Sequence, residues 1–465
     1  MQDMQGRIHY VLHASCILHL ASCILHPFKP TTSTISEGPA VAMHHFTYRN
    51  ARLHCEDLPI EELARQFATP LYLYSRRTLR ESFLAIDGAF AGKPHEIYYA
   101  VKANTNAAIL REFTSLGAGA DVVSGGELAH ARRAGVPAER IVFAGVGKRD
   151  DEILTALREN IRGLNVESEQ ELEVVGQLAA REGVVAPVSF RVNPNIDISG
   201  HPYISTGRSA DKFGIESERI VAILDAHPTW RNKRLVGLHA HVGSNISELW
   251  PFEAVGRALA ELARRIIGHG VELKYLDVGG GLGVRYEQAL ALQPDTSPVD
   301  DLALPPREVA NSIWRGLGDL HIPLIFEPGR ALVASSGALV ARVLFVKETR
   351  GRKFVILDAA MNDLVRPSLY QAYHQIVPVH LQEGQLQTVD VVGPICESGD
   401  FLARDRELPP LRRGDLVAVM TTGAYGFALA SNYNSRPRPA EVLIDGRQAT
   451  VINPRQSIES IWQNG

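Results

Sequence analysis

Short apolar runs alternate with amphipathic segments from about residue 78 to residue 327. The runs are EIYYAV (96–101), GADVV (119–123), RIVFA (140–144), RGLNV (162–166), PVSFRVN (187–193), RLVGLHAHV (234–242), KYLDV (274–278) and IPLIFE (322–327). Short continuous apolar strands between amphipathic helices indicate a parallel sheet. Eight such units in ~250 residues predict a TIM (β/α)8 barrel over residues 78–335, with an open, doubly wound sheet as the alternative.

The sequence pattern changes after residue 336. Five β-rich runs follow without comparable helices between them: ALVARVLFVKET, KFVILDA, QTVDVVG, DLVAVMTT and PAEVLIDG. This pattern predicts a C-terminal all-β domain, a barrel or sandwich, over residues 336–465. The earlier run TPLYLYS (69–75) precedes the first barrel helix, and we expect the segment 43–77 to join that β domain.

The N-terminal segment carries a short duplication, with ASCILH at 14–19 and again at 21–26. Histidines interrupt its apolar run, which disfavours a secretory signal peptide. The spacing of histidine and cysteine matches no zinc pattern. We therefore expect residues 1–42 to be a poorly ordered extension and leave them out of the fold prediction.

Composition excludes several classes of function. Forty-eight Lys+Arg against 52 Asp+Glu give a net charge of −4 and no footprint for nucleic acid. No apolar stretch approaches the ~20 residues of a membrane helix. The four cysteines, Cys16, Cys23, Cys55 and Cys396, are few and scattered, which favours a reducing cytoplasm. No metal is expected.

Polar residues and glycines collect where the predicted strands end. Because TIM-barrel active sites lie at the C-terminal ends of the strands, these residues should share one rim. They are Lys102 and Asn104, Ser124 to Gly126, Arg191 and Asn193, His239 to Ser244, Gly279 to Gly283, and Glu327 to Arg330. This coincidence at six strand ends predicts an enzyme active site.

Lys102 follows an apolar strand, and apolar surroundings would lower its pKa and free the amine for Schiff-base chemistry. The alternative is a rim lysine paired with a carboxylate. His241 is placed to stack on a ring, or it is a hydrogen-bonded core histidine. At this point, two interpretations remain open for Lys102 and two for His241.

The run LDVGGGLG (276–283) offers unobstructed backbone N–H groups, as a phosphate-binding nest does, although many such runs are only tight turns. It lacks the dinucleotide fingerprint because no helix opens directly behind it. Ser244, Gly329 and Arg330 could add to a phosphate site. A lysine amine, a phosphate nest and the Glu327 carboxylate together suggest pyridoxal 5'-phosphate, whose ring nitrogen Glu327 would keep protonated.

The runs YYAVKAN, HVGSN, LDVGGGLG, EPGR and CESGD resemble the fold-type III pyridoxal-phosphate decarboxylases from about residue 43 to the C-terminus. The resemblance implies a TIM barrel with a C-terminal β domain and a head-to-tail homodimer with shared active sites. The runs at 201–215, 361–374, 393–403 and 423–443 resemble one branch of that family. Members of that branch decarboxylate meso-2,6-diaminopimelate at the D-centre to give L-lysine and CO2, the last step of lysine biosynthesis, and the resemblance implies this reaction here.

The resemblance also implies roles at matching positions. Lys102 would carry the cofactor, His241 would stack on its ring, and Glu327 would pair with the ring nitrogen. Asp121 and Arg191 match positions near the cofactor. The groups implied to bind the cofactor phosphate and its surroundings are Ser244, Gly280, Gly281, Pro328, Gly329, Arg330 and Tyr425.

For the substrate, the resemblance implies that Arg330, Arg366 and Tyr370 bind the carboxylate at its far, L-configured end, and that Tyr425 also contacts the substrate. Cys396 as proton donor and Glu397 as contact to the substrate ammonium would come from a second subunit. Without that context, we would expect Arg366 to form a surface ion pair and Cys396 to be a buried structural cysteine.

Three other functions fit these residues less well. Decarboxylases of ornithine, arginine or lysine act on substrates without a distal carboxylate, which Arg330 and Arg366 argue against because arginine binds carboxylates in bidentate fashion. Alanine racemase sets an arginine at the ring nitrogen, and Glu327 opposes that. A non-catalytic binding protein would not need Lys102, Glu327 and Cys396 together.

Overall fold

Eight parallel strands form a closed barrel in the computed structural model. They are His95–Ala100, Gly119–Val122, Ile141–Phe143, Gly163–Val166, Ala186–Asn193, Lys233–His239, Tyr275–Asp277 and Leu324–Phe326. Each strand pairs in parallel with the next along the chain, and the eighth pairs with the first. The sheet therefore has no free edge, which confirms the predicted TIM barrel and rules out the open doubly wound sheet.

Amphipathic helices surround the barrel and bury their apolar faces against it. They are Arg76–Ala89, Ala107–Ser115, Gly125–Arg133, Asp150–Glu159, Glu169–Glu182, Ser217–Ala226, Trp250–Gly268 and Pro306–Leu317. Ser124 and Ser168 cap two of them, since each hydroxyl accepts a hydrogen bond from the backbone three residues on. Because helices cover the outside, the barrel strands are buried almost throughout.

A second, mostly antiparallel sheet follows the barrel. Its strands are Gly337–Thr349, Arg352–Leu357, Ile376–Pro378, Gln387–Val392, Phe401–Leu408, Leu416–Val419, Ala440–Asp445 and Gln448–Asn453, joined by the earlier strand Leu71–Ser75. Leu71–Ser75 pairs with Gly337–Thr349 on one side and with Ala440–Asp445 on the other. A segment that precedes the barrel in sequence is thus central to the sheet that follows it.

Smaller elements complete the fold. A three-stranded sheet comprises Phe46–Arg49, Arg52–Cys55 and Leu58–Pro59, and short helices span Ile60–Phe67, Arg330–Val333, Arg366–Tyr370 and Ile458–Trp462. A two-residue strand, Ile215–Glu216, pairs with the fifth barrel strand. The β-rich pattern after residue 336 did not predict Arg366–Tyr370, because five residues are too few to show helical periodicity.

The structure describes residues 44–196, 212–226, 230–287, 289–297 and 299–462. These lie in a single compact unit, Val41–Gly465. The predicted extension 1–42 and most of the run 201–215 lie outside the described residues. Among the helices described, none has the length and apolar character needed to cross a bilayer.

Candidate active site

A cavity of about 380 Å³ opens at the C-terminal ends of the barrel strands and reaches the second sheet. Ten of the predicted site residues line it: Lys102, His241, Ser244, Gly281, Glu327, Gly329, Arg330, Arg366, Tyr370 and Tyr425. Gly280, Pro328, Cys396 and Glu397 are not among the described residues that line it. The cavity therefore joins residues that are as far apart in the chain as Lys102 and Tyr425.

Lys102 lies in a single 3-10 turn, Val101–Ala103, directly after the first barrel strand. Its Nζ is 2.6 Å from Oδ2 of Asp121, a fully buried residue of the second strand. Burial alone disfavours the ammonium, but the charges of Asp121 and Glu327 outweigh it and raise the pKa of Lys102 above its ordinary value. The expectation of a lowered pKa was wrong, because the neighbours of Lys102 include carboxylates from distant parts of the chain.

Glu327 follows the eighth strand and is almost fully buried. Its Oε2 lies 3.3 Å from Nε2 of His239, while Oε1 has no hydrogen-bond partner among the described residues. Burial and the charge of Glu327 raise the pKa of the neighbouring Asp277 well above its usual range. Burial opposes ionisation of Glu327 too, but the neighbouring His239 and Asp277 lower the pKa of Glu327. Glu327 is therefore a buried carboxylate with one oxygen open to a donor.

His241 is held as a neutral ring. Its Nδ1 accepts a hydrogen bond of 3.2 Å from the backbone N–H of Gly280. Burial, together with the charges of Lys102 and Arg191, lowers the pKa of His241 to about 3. A Cβ at Gly280 would overlap the carbonyl oxygen of Glu327, so only glycine allows this approach of the backbone. Gly280 thus orients His241 through this hydrogen bond without itself lining the cavity.

An anion-binding group occupies another part of the cavity wall. Gly281 has a φ of +98° and leaves no room for a Cβ beside the carbonyl of Gly243. Arg330 donates from Nη2 to Oγ of Ser244 at 3.0 Å and from Nη1 to the hydroxyl of Tyr286. Its Nε is buried without a hydrogen-bond partner in the described part of the chain. Glycine backbone at the cavity wall, a hydroxyl and a nearby guanidinium match the needs of an anion such as phosphate.

These groups fit pyridoxal phosphate. The open oxygen of Glu327 suits a protonated ring nitrogen, the neutral ring of His241 suits stacking, and the amine of Lys102 suits an aldehyde. The anion-binding wall around Ser244 and Arg330 suits the phosphate. All of these groups line the same cavity.

A second guanidinium enters the cavity from the β-rich region. Arg366 begins the short helix Arg366–Tyr370 and is buried, as is Arg330. Among the described residues, neither arginine has a carboxylate within 4.0 Å, although both lie near the ring of Tyr286. An unpaired buried charge is costly, so two such cations indicate anionic ligands. The interpretation of Arg366 as a surface ion pair is therefore wrong.

The sequence reasoning missed Tyr286 and His374, both of which contact the two arginines or their partners. Tyr286 comes three residues after the glycine-rich run, and its position there was the available signal. Arg191 is expected near the cofactor from the family resemblance. In the structure it pairs with Glu167 at 2.8 Å, and both side chains are buried.

Cys396 and Glu397 lie at the surface of the chain. The backbone N–H of Cys396 donates to Oδ1 of Asn434 at 2.9 Å, and the hydroxyl of Tyr433 approaches Glu397 at 3.5 Å. Cys396 is an exposed free thiol, so the structural-cysteine interpretation, which required burial, is wrong. Cys55, in contrast, is buried in the core.

Comparisons with known proteins indicate the same class of enzyme. Residues 76–334 match the family described as pyridoxal-dependent decarboxylase, pyridoxal binding domain. The diaminopimelate decarboxylase of Vibrio cholerae is 44% identical over 424 residues, which is 90% of this chain and 98% of the relative. The crystal structure of the Helicobacter pylori diaminopimelate decarboxylase complexed with L-lysine is 40% identical. It covers 87% of this chain and 98% of its own, with a TM-score of 0.81.

A more distant structure shares the same fold. The diaminopimelate decarboxylase of M. jannaschii, in co-complex with L-lysine, is 34% identical and covers 91% of this chain and 98% of its own, with a TM-score of 0.82. Fold and site thus define a pyridoxal-phosphate-dependent decarboxylase built on a (β/α)8 barrel. Within that class, the chain belongs to the diaminopimelate decarboxylase family.

Proposed function

We propose that this chain decarboxylates meso-2,6-diaminopimelate at its D-configured centre, giving L-lysine and CO2 as the last step of lysine biosynthesis. One observation carries the proposal. A single cavity holds Lys102 and Glu327 together with two buried guanidinium groups, Arg330 and Arg366, that have no carboxylate partner among the described residues. Both cations are available to the distal carboxylate of the substrate, because arginine binds carboxylates in bidentate fashion.

When bound, pyridoxal phosphate supplies an electron sink for the pair released from the bond between Cα and the carboxylate. Lys102 would hold the cofactor through its amine. Glu327 would accept a hydrogen bond from the protonated ring nitrogen and so favour retention of that proton. Ser244 and the backbone at Gly281, Gly329 and Arg330 would hold the phosphate, helped by Tyr425.

Arg330, Arg366 and Tyr370 bind the carboxylate at the L-configured end of the substrate. Fixing that end would restrict the orientation of the reacting carboxylate, and binding energy from a remote part of the substrate contributes to the rate in this way. A substrate such as ornithine offers no anion at this point and would leave Arg366 buried without a counter-charge. This difference favours the diacid over the basic amino acids.

We also propose that Cys396 and Glu397 complete the site from a second copy of the chain in a cytoplasmic homodimer. Both residues are exposed, and neither lines the cavity of its own chain. A thiol is a suitable acid for a carbanion if it lies close to the reacting carbon. Glu397 offers a partner for the substrate ammonium.

Purified holoenzyme is incubated separately with meso-diaminopimelate, L-ornithine and L-lysine, and the released CO2 and the amine products are measured. We expect CO2 and L-lysine in equal amounts from meso-diaminopimelate and little reaction with the other two. Lys102→Ala serves as the control and should lose both turnover and the visible absorbance of the bound cofactor. CO2 release from ornithine or lysine in preference to the diacid would overturn the assignment.

A further inference from the structure

The guanidinium of Arg366 is held by neutral partners. Its Nη1 lies 2.6 Å from Nε2 of His374, and its Cζ lies 4.8 Å from the ring centroid of Tyr286. Among the described residues, no carboxylate reaches it. The surroundings of Arg366 thus fix its position without cancelling its charge.

The tautomer of His374 follows from its second contact. Nδ1 lies 2.9 Å from the carbonyl oxygen of Met420, which can only accept a hydrogen bond, so Nδ1 carries the proton. In a neutral ring, Nε2 is then an acceptor and faces the N–H of Arg366. Burial and the charge of Arg366 keep the pKa of His374 well below its usual value, so the ring stays neutral.

Tyr286 connects this pair to the other arginine. Its ring packs edge-on against His374, with centroids 5.1 Å apart and planes at 76°. Its hydroxyl accepts a hydrogen bond from Nη1 of Arg330. Tyr286 therefore contacts both guanidinium groups and the imidazole that orients one of them.

An aspartate or glutamate in place of His374 would pair with Arg366 and neutralise it. A purely apolar side chain would leave one guanidinium N–H buried without an acceptor and free to rotate away. The imidazole avoids both outcomes because it accepts a hydrogen bond while carrying no charge. This chemistry suits a guanidinium that must bind an external carboxylate.

We propose that His374 is a positioning residue that orients Arg366 and leaves its charge available, and so sets the affinity of the site for the distal carboxylate of its ligand. The proposal rests on the proposed function, since it concerns the far end of the same substrate. His374 itself does not line the cavity, so it acts through Arg366.

The test compares two ligands that differ only in this carboxylate. L-Lysine and 1,5-diaminopentane share a carbon chain and two amines, but only L-lysine carries a carboxylate. Holoenzyme is titrated with each ligand, and the dissociation constants are read from the absorbance of the bound cofactor. His374→Leu removes the acceptor, and His374→Gln keeps an amide oxygen within reach of Arg366.

We expect His374→Leu to weaken the binding of L-lysine about 10- to 100-fold, which is the range for a hydrogen bond involving a charged group. The dissociation constant of 1,5-diaminopentane should stay nearly unchanged. His374→Gln should restore most of the affinity for L-lysine. With meso-diaminopimelate, His374→Leu should raise KM more than it lowers kcat. If His374→Leu does not retain cofactor, the comparison of His374→Gln with His374→Asn, whose shorter amide cannot reach Arg366, gives the same test.

Equal weakening of both ligands, or no change for either, would overturn the proposal, because a merely structural histidine does not distinguish a carboxylate from its absence. Failure of the proposed function has a different signature. The wild-type protein would then release no CO2 from meso-diaminopimelate, whatever the ratio of the two dissociation constants.

Discussion

The Nζ of Lys102 lies 2.6 Å from a carboxylate oxygen of Asp121 that is fully shielded from solvent. This contact, with the nearby charge of Glu327, outweighs burial and raises the pKa of Lys102. An ammonium must lose its proton before it can attack an aldehyde. In the protein without cofactor, the ion pair should therefore slow uptake of pyridoxal phosphate at neutral pH.

We expect uptake by the wild-type apoprotein to accelerate as pH rises from 7 to 9. In Asp121→Asn the pKa of Lys102 falls, so uptake at pH 7 should be roughly tenfold faster for each unit of that fall. The rate is followed by the visible absorbance after mixing with pyridoxal phosphate. Asp151→Asn, at an exposed site, is the control. Identical pH profiles for wild type and Asp121→Asn would contradict this explanation.

Arg366 should raise catalytic efficiency without contributing to the free energy of unfolding. Arg366→Met removes a buried cation that lacks a carboxylate partner, so the free energy of unfolding of the apoprotein should stay equal or rise by about 1 kcal/mol. The same change should lower kcat/KM for meso-diaminopimelate by about 100-fold or more, since a hydrogen-bonded charge pair with substrate is lost. Urea denaturation and steady-state kinetics measure the two effects. Arg307→Met, on an exposed helix face, should alter neither. A large loss of stability in Arg366→Met would show that this arginine is structural.

Two glycine substitutions should have opposite effects. A Cβ at Gly280 would overlap the carbonyl oxygen of Glu327, so Gly280→Ala should cost roughly 2–4 kcal/mol of stability through forced backbone shifts. Gly126 lies in the helix Gly125–Arg133, and its nearest neighbour to an added Cβ is 3.7 Å away. Gly126→Ala should therefore be neutral or stabilising by up to about 1 kcal/mol. Equal effects of the two changes in urea denaturation would refute the steric argument.

Asp301 should make stability depend on pH. Burial raises its pKa from 3.8 to about 7, while a hydrogen bond from Ser335 acts in the opposite direction. Because the folded state keeps this proton and the unfolded chain releases it, the contribution is present below pH 4 and is lost as pH rises to 7.

Wild type should therefore lose on the order of 3 kcal/mol more than Asp301→Asn between pH 4 and pH 8, since each pKa unit corresponds to about 1.4 kcal/mol. The free energy of unfolding from denaturant titrations at the two pH values gives the comparison. Parallel losses in the two proteins would assign the pH dependence to other groups.

A shared active site predicts complementation between two inactive variants. Lys102→Ala and Cys396→Ala each damage every site of a homodimer, but a mixed dimer contains one site with both residues intact. Equal mixing with subunit exchange should restore about a quarter of the wild-type activity, because half of the dimers are mixed and each has one good site. No gain over the separate variants would place Cys396 outside the site of a second subunit.

The sequence by itself determined the barrel and its rim. Alternating apolar strands and amphipathic helices fix the local structure, and the TIM-barrel rule then places strand ends such as Lys102, His241 and Glu327 on one face. The same reasoning found the part of the cavity wall that the barrel supplies at Lys102, His241, Ser244, Gly281, Glu327, Gly329 and Arg330. It worked because strand direction and residue type are properties of short segments.

Tertiary structure alone decided the electrostatics and the far end of the cavity. The raised pKa of Lys102 depends on Asp121 and Glu327, which belong to other strands, and no local pattern reports such distances. Tyr286 and His374 join the site only because the second sheet packs beside the barrel mouth and brings Arg366 to Arg330. Periodicity encodes which face of a segment is buried, whereas charge interactions depend on which segments meet, and only the folded chain determines that.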